Sequence, residues 1–265
     1  MPVAQERVFT HIARGRTLEG EITAAKIAEV AKVAGEQLRR AHELGAEHVT
    51  AVATAAVRRA ANSAELVAFV AMVCGLQVVV LSGEEEARLA FRGAASALVP
   101  APDGQLGVAD IGGGSSELVV GTPPDRIAWS ASFDIGSSDI TAAWLDSDPP
   151  SAEELERARG HIASTFEGLA VPTPATAVAV GGSATSLRLM AGGVLDAPAL
   201  RRTLDVLVSH PSTVVATRFG LDPDRARLMP AGVLILEAAS RAFALPLEVG
   251  GGGLREGILL EGLAA

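Results

Sequence analysis

The sequence predicts an α/β fold with partly parallel sheets. Short β-branched and apolar runs alternate with helical periodicities along the whole chain, the pattern of strands linked by crossover helices. Three of the predicted strands run directly into glycine turns, beginning at Gly112, Gly181 and Gly250. With 49% hydrophobic residues in a 265-residue chain, there is apolar material for one large or two modest domains.

Residues 22–44 are the first predicted helix. Ile27, Val30, Ala31, Ala34, Leu38 and Ala41 recur at steps of three and four, and Gly45 stands where a C-terminal stop is wanted. Residues 48–54 (HVTAVAT) form a β-branched run. Asn62 or Ser63 then caps a helix whose face is Leu66, Phe69, Val70 and Val73, ended by Gly75, and residues 77–81 are the next strand. A helix over 84–98 opens after Ser82-Gly83, and PAPDG at 100–104 marks the predicted boundary between domains 1–104 and 105–265. Beyond it, strands at 106–110 and 117–121 flank a glycine turn. Pro149-Pro150 precedes the capping-box pattern Ser151-Ala152-Glu153-Glu154 of a helix running to about residue 168. A strand at 176–180, helices at 184–190, 200–209 and 229–243, a strand at 247–249 and a last helix to 263 complete the chain.

Composition excludes several classes. A formal charge of −9 argues against nucleic acid, which demands a basic stripe, and aromatics at 3% with no Tyr leave few stacking platforms. A phosphate substrate stays open, because a few arginines, backbone N–H groups and a divalent cation can make a local field positive. A single cysteine, Cys74, forms no intramolecular disulfide and suits a reducing compartment, so a cytoplasmic location is expected. The N-terminus has no apolar segment of the secretory type. Residues 64–81 are nearly apolar, but Glu65, Gly75 and Gln77 interrupt them, so a buried helix followed by a buried strand is expected rather than a membrane span.

The chemistry concentrates in Asp110-Ile111-Gly112-Gly113-Gly114-Ser115-Ser116-Glu117. Glycines between two strands let backbone N–H groups approach an anionic oxygen, and acids on either side can hold Mg2+. A plain glycine hairpin with surface acids would have the same glycines; the two acids and two hydroxyls favour phosphate binding. Gly181-Gly182-Ser183 opens a helix after a strand, which suits either an anion at the helix N-terminus or ordinary helix entry. Gly250 to Gly253 reads as a wide turn. Glu84, Glu85 and Glu86 stand in a first helical turn, where acids commonly do no more than face the helix dipole. Arg58 and Arg59 follow a strand at the edge where open α/β folds bind ligands, and either could clamp an oxyanion or simply solvate a face. None of the five histidines has a metal-ligand spacing, and GxxxxGK[ST], GxSxG and HExxH are absent.

Seven segments, AVATAAVRRAAN (51–62), VVVLSGEEEARLAFRG (78–93), VADIGGGSSELVVG (108–121), SFDIGSSDIT (132–141), AVGGSATSL (179–187), DRARLMPAGVLIL (224–236) and GLREGILLEGL (253–263), together resemble the exopolyphosphatase and guanosine pentaphosphate phosphohydrolase (Ppx/GppA) family. The resemblance implies two RNase-H-like domains of the actin, sugar-kinase and heat-shock-ATPase superfamily around a phosphate-binding cleft. It implies that Glu86 is the base activating water, that Asp110 and Glu117 hold Mg2+, and that Gly112 to Ser116, Gly181 to Ser183 and Arg58 contact phosphate. The family's chains open with two strands around a DxGTNSxR phosphate loop. ERVFTHIARGRTLEGEI instead matches the family's third strand and the lead-in to the following helix, so an incomplete first domain and a start codon placed too late are expected. The exposed sheet edges of such a domain favour association, as in a homodimer.

The function this implies is Mg2+-dependent release of terminal phosphate from inorganic polyphosphate or guanosine pentaphosphate, the latter tied to the stringent response. The alternatives are an impaired module that binds polyphosphate or guanosine tetraphosphate, and a kinase of the same superfamily, against which SGEEEARL speaks.

Overall fold

A computed structural model describes residues 4–262 apart from Arg7, Arg16 and Leu18. By packing, the chain divides into two compact units, Met1–Ser82 and Gly83–Ala265. The division falls earlier than the expected boundary at 104, because the helix that follows Ser82 packs on the sheet of the larger unit.

In the smaller unit, α1 (Ala24–Glu43) is capped by the Thr23 hydroxyl and buries Ile27 and Ala31, one turn apart on its inner face. Strand β1 (Ala51–Ala53) leads through the short α2 (Ala55–Arg58) to α3 (Ser63–Cys74), and β2 (Val78–Val80) pairs with β1 in parallel. Asn62 makes no side-chain cap. Its amide instead exchanges two hydrogen bonds with the backbone of Ile22, at 2.8 and 2.9 Å, joining segments 40 residues apart. Ile22, Ile27, Ala31, Val57, Ala60, Leu66 and Val70 form the core.

Two expectations fail here. The apolar stretch 64–81 is only partly buried: Leu66 and Val70 are inside, but Met72 is 72% exposed and Val73 and Val79 are more than half exposed. A two-stranded sheet and one partner helix offer too little surface to cover both faces of the segment. Residues expected to match the family's third strand carry a 3-10 turn at Ile12–Gly15, with no strand pairing beyond a bridge at Ile22 among the described residues; Arg7, Arg16 and Leu18 lie outside them.

The larger unit begins with α4 (Gly83–Ala97) and holds a six-stranded mixed sheet. Strands β3 (Leu106–Ile111), β4 (Ser116–Thr122) and β5 (Arg126–Phe133) form an antiparallel meander. After α5 (Ser137–Trp144) and α6 (Ala152–Thr165), strand β6 (Thr176–Val180) returns parallel to β3. Then follow α7 (Gly181–Ala191), β7 (Val194–Leu195), α8 (Ala197–Ser209), α9 (Ser212–Phe219), α10 (Pro223–Phe243), β8 (Leu247–Val249) and α11 (Leu254–Gly262). The order is β5-β4-β3-β6-β8-β7, with β6 and β8 parallel to one another. This agrees with the partly parallel α/β sheet expected. The capping box of α6 is present, with Ser151 N donating to Glu154 at 2.6 Å and Glu154 N to Ser151 Oγ at 3.2 Å.

Both faces of the central strands are covered, which is why they read as nearly continuous apolar runs. The pleat divides them. Leu106, Val108, Val119, Val178 and Val180 pack with Ala87, Phe91, Ala94 and Ala95 of α4, whereas Ala109, Ile111, Leu118, Val120, Ala177 and Ala179 join the core built around α10. α11 lies against α4.

Phe91, completely buried at the centre of the α4 layer, reports on this packing. Phe91→Ala is expected to destabilise the larger unit by about 3–5 kcal/mol in a denaturant titration. A loss well below that range would mean that α4 is not docked as described.

Candidate active site

Strand parity decides which side chains meet. Asp110 shares its face with Leu106 and Val108, and Glu117 shares its face with Val119, so both carboxylates emerge on the α4 side of the sheet. They are direct partners in the register of β3 and β4. Glu86, in the first turn of α4, is 5% exposed and Glu117 is 3% exposed. Within the larger unit the structure therefore brings Glu86 of α4 to Asp110 and Glu117, which flank the turn between β3 and β4.

Their titration carries the mark of this crowding. Loss of hydration pushes Asp110 up to about 6, with repulsion from Glu86 and then Glu256 adding to it. Glu117 is pushed up to about 8, again chiefly by loss of hydration, then by the charges of Glu86 and Asp110, while hydrogen bonds from Ser115 and Ser132 oppose the rise. The Ser132 hydroxyl donates to Glu117 Oε1 at 3.0 Å from the neighbouring strand β5.

The turn between β3 and β4 is held from outside. Ser137 N donates to the Gly112 carbonyl at 3.0 Å and Ser138 N to the Gly113 carbonyl at 2.9 Å, so the loop satisfies the opening N–H groups of α5. In a trans peptide the N–H opposes the C=O, so the N–H groups of Gly113 and Gly114 are directed away from α5. The Gly112 N–H is engaged by the Ser115 carbonyl at 3.0 Å. Of the two loop hydroxyls, that of Ser116 donates to the Ile135 carbonyl at 2.7 Å and that of Ser115 bonds Glu117. Gly136 backs directly onto the loop: a Cβ there would fall on the Gly113–Gly114 peptide.

The second glycine turn stands beside the first because Asp110 and Val180 are register partners of β3 and β6. Gly181 adopts φ 84°, and a Cβ on it would run into the Asp110 carboxylate, so glycine is required there on both counts. Ser183 is buried with its hydroxyl against Gly232 of α10. Arg58 belongs to the smaller unit, where its Nη1 donates to the Leu81 carbonyl at 2.7 Å. Two residues escaped the sequence reading. Arg225 of α10 lays its guanidinium along Gly182, where a Cβ would come within 2.6 Å of Nη2. Glu256 of α11 adds its charge to the field at Asp110. DRARL and LREG carry no local spacing that marks either, although both lie in segments of the family resemblance.

Among the described residues no three or more side chains from His, Cys, Asp and Glu are close enough to hold a metal by themselves. Mg2+ binds through one or two carboxylates and substrate phosphates while keeping most of its waters, so Asp110 and Glu117 would be the residues to hold it. Asp110 and Glu117, side by side and repelling one another, are the chemistry such an ion relieves. No helix among the described residues is long and apolar enough to cross a membrane.

A carboxyl whose folded pKa is raised favours the fold while protonated. The penalty grows as pH climbs past the unfolded value and is complete above the folded ones, here about 6 and about 8. In EDTA, thermal stability is therefore expected to fall between about pH 5 and about pH 8, and Mg2+ is expected to restore it. Glu117→Gln should flatten the dependence. Calorimetry at stepped pH checks this, and a melting temperature that stays level across that window contradicts it.

Known proteins resemble this chain along nearly its whole length. The family model described as the Ppx/GppA phosphatase family matches residues 1–265. Exopolyphosphatase 1 of Mycobacterium leprae is 28% identical over 279 aligned residues, which cover 99% of this chain and 82% of that protein. The crystal structure of the Ppx/GppA family member from Aquifex aeolicus superimposes with a TM-score of 0.78 at 30% identity, covering 96% of this chain and 87% of that one. An exopolyphosphatase structure from Cytophaga hutchinsonii, at 23% identity, shares the fold with a TM-score of 0.85, covering 96% of this chain and 87% of its own. The chain belongs to the Ppx/GppA phosphatase family and is a phosphoanhydride hydrolase of the exopolyphosphatase type.

Proposed function

We propose that this chain releases the terminal phosphate of inorganic polyphosphate, with Glu86 as general base. The observation that supports the reading above all others is the meeting of Glu86, Asp110 and Glu117 beside the Gly112–Ser116 loop. Attack of water on a terminal phosphorus needs a proton acceptor for the water, a receptor for the charge on the transferring group and a fixed geometry between them. Glu86 takes the proton. N–H groups of the loop between β3 and β4 and of the opening turn of α7 face phosphate oxygens. Asp110 and Glu117 would hold Mg2+, whose charge would offset that of the phosphoryl oxygens. Nearly all of the rate then comes from positioning and electrostatics, since phosphoryl transfer asks little covalent chemistry of the protein.

The names of the curated relatives favour polyphosphate over guanosine pentaphosphate. Comparing kcat/KM for the two substrates tests that preference, and a higher value for the nucleotide reverses it.

Glu86→Gln keeps the shape and removes the base. Phosphate release is expected to fall by about 10²–10⁴-fold while the melting temperature holds or rises, because one repelling charge leaves the cluster. Turnover at the wild-type rate would rule Glu86 out.

A further inference from the structure

We propose that a seam of glycines between α4 and α11, formed by Gly93, Gly252, Gly253 and Gly257, is the device that positions Glu86. The inference rests on the reading of Glu86 as the base. The two helices meet backbone to backbone. A Cβ at Gly257 would fall on the Leu89 carbonyl, 2.7 Å from its carbon. One at Gly93 would fall on the Gly253 carbonyl and lie 2.8 Å from Gly257 N, and one at Gly252 would fall on the Gly93 carbonyl. Gly252 and Gly253 also adopt φ of 74° and 144°, so the turn before α11 admits no other residue without strain. The third glycine run is therefore more than a wide turn: it is the surface on which α4 is seated.

The seam lies on the same face of α4 as Glu86, since Gly93 comes two turns beyond it. On its other side α4 is held by the sheet, where a Cβ on Gly121 would come within 2.9 Å of Phe91 Cζ. Clamped from both sides, α4 can relieve a new methyl in the seam only by sliding or turning, and either motion carries Glu86 with it. Arg88 and Arg92 lace the same pair of helices, through Glu261 at 2.8 Å and the Leu260 carbonyl at 3.3 Å.

Gly257→Ala and Gly93→Ala test this against Gly251→Ala, whose Cβ would meet Ala97 at an ordinary 3.5 Å. A displacement of the order of 1 Å is expected to cost about 100-fold in kcat for phosphate release from polyphosphate. KM should stay within about twofold and Gly251→Ala should behave as wild type. Combined with Glu86→Gln, the seam variants should change the residual rate no further, because a misplaced group that is already gone cannot be lost twice. Should neither glycine variant fold, Arg92→Ala loosens the seam without a clash, and a several-fold drop in kcat that disappears in the Glu86→Gln background is expected. Wild-type kcat in the folded seam variants, or in Arg92→Ala where that is the one that folds, overturns the proposal, as does a loss that multiplies with that of Glu86→Gln. Undiminished turnover in Glu86→Gln alone overturns the base assignment, and the seam's role falls with it.

Discussion

Three carboxylates share one poorly hydrated space in the larger unit, and the rest of the structure is arranged to hold them there. Burial disfavours each charge, and proximity disfavours every second one, so the cluster is unfavourable as an apo arrangement. On the proposed reading, a cation and a polyanion entering the cluster would offset that cost. The same repulsion that raises Asp110 and Glu117 is what a bound Mg2+ would relieve.

The means of assembly are ordinary. Pairing of β3 with β4 puts Asp110 opposite Glu117, and the two-residue period of the strands turns both toward α4. Pairing of β3 with β6 brings the turn at Gly181 beside Asp110, and α5 is docked on the carbonyls of Gly112 and Gly113. Glu86, Asp110 and Glu117 thus all stand on regular elements, α4, β3 and β4. Covering the sheet on both faces gives the strands their rigidity, and α4, pressed between sheet and α11, passes that rigidity to Glu86.

Asp110 and Glu117 stood out in the sequence because three glycines lie between two acids, whereas Glu86 was marked only by the family resemblance. The glycines of the first turn were read as letting backbone N–H groups approach an anion. Gly112, Gly113 and Gly114 do not take left-handed φ, and a Cβ at Gly113 would stand 3.0 Å from the Ser138 hydroxyl, a tight contact that a turn of that side chain relieves. Glu86 looked like an ordinary first-turn acid, since nothing local records that β3 and β4 will place two more acids beneath it. Strand β5 was missed because RIAWSASF alternates with small polar residues and lacks the β-branched signal of its neighbours. α9, STVVATRF, has β-branched residues where helix formers were wanted, and α10, predicted to start at 229, is capped further upstream by Asp222 and carries Pro230 inside it. The seam at Gly252, Gly253 and Gly257 is a property of two helices far apart in sequence, and a single chain segment cannot announce it.

The central claim, that the raised carboxylates are a cation site, is tested most directly by counting the protons that Mg2+ displaces. Titration calorimetry in buffers of different ionisation enthalpy gives that count. At pH 7, where Glu117 still carries its proton and Asp110 has largely lost its own, about one proton is expected to leave per ion bound, falling toward none well above the Glu117 value of about 8. Binding at pH 7 with no proton released would contradict the account.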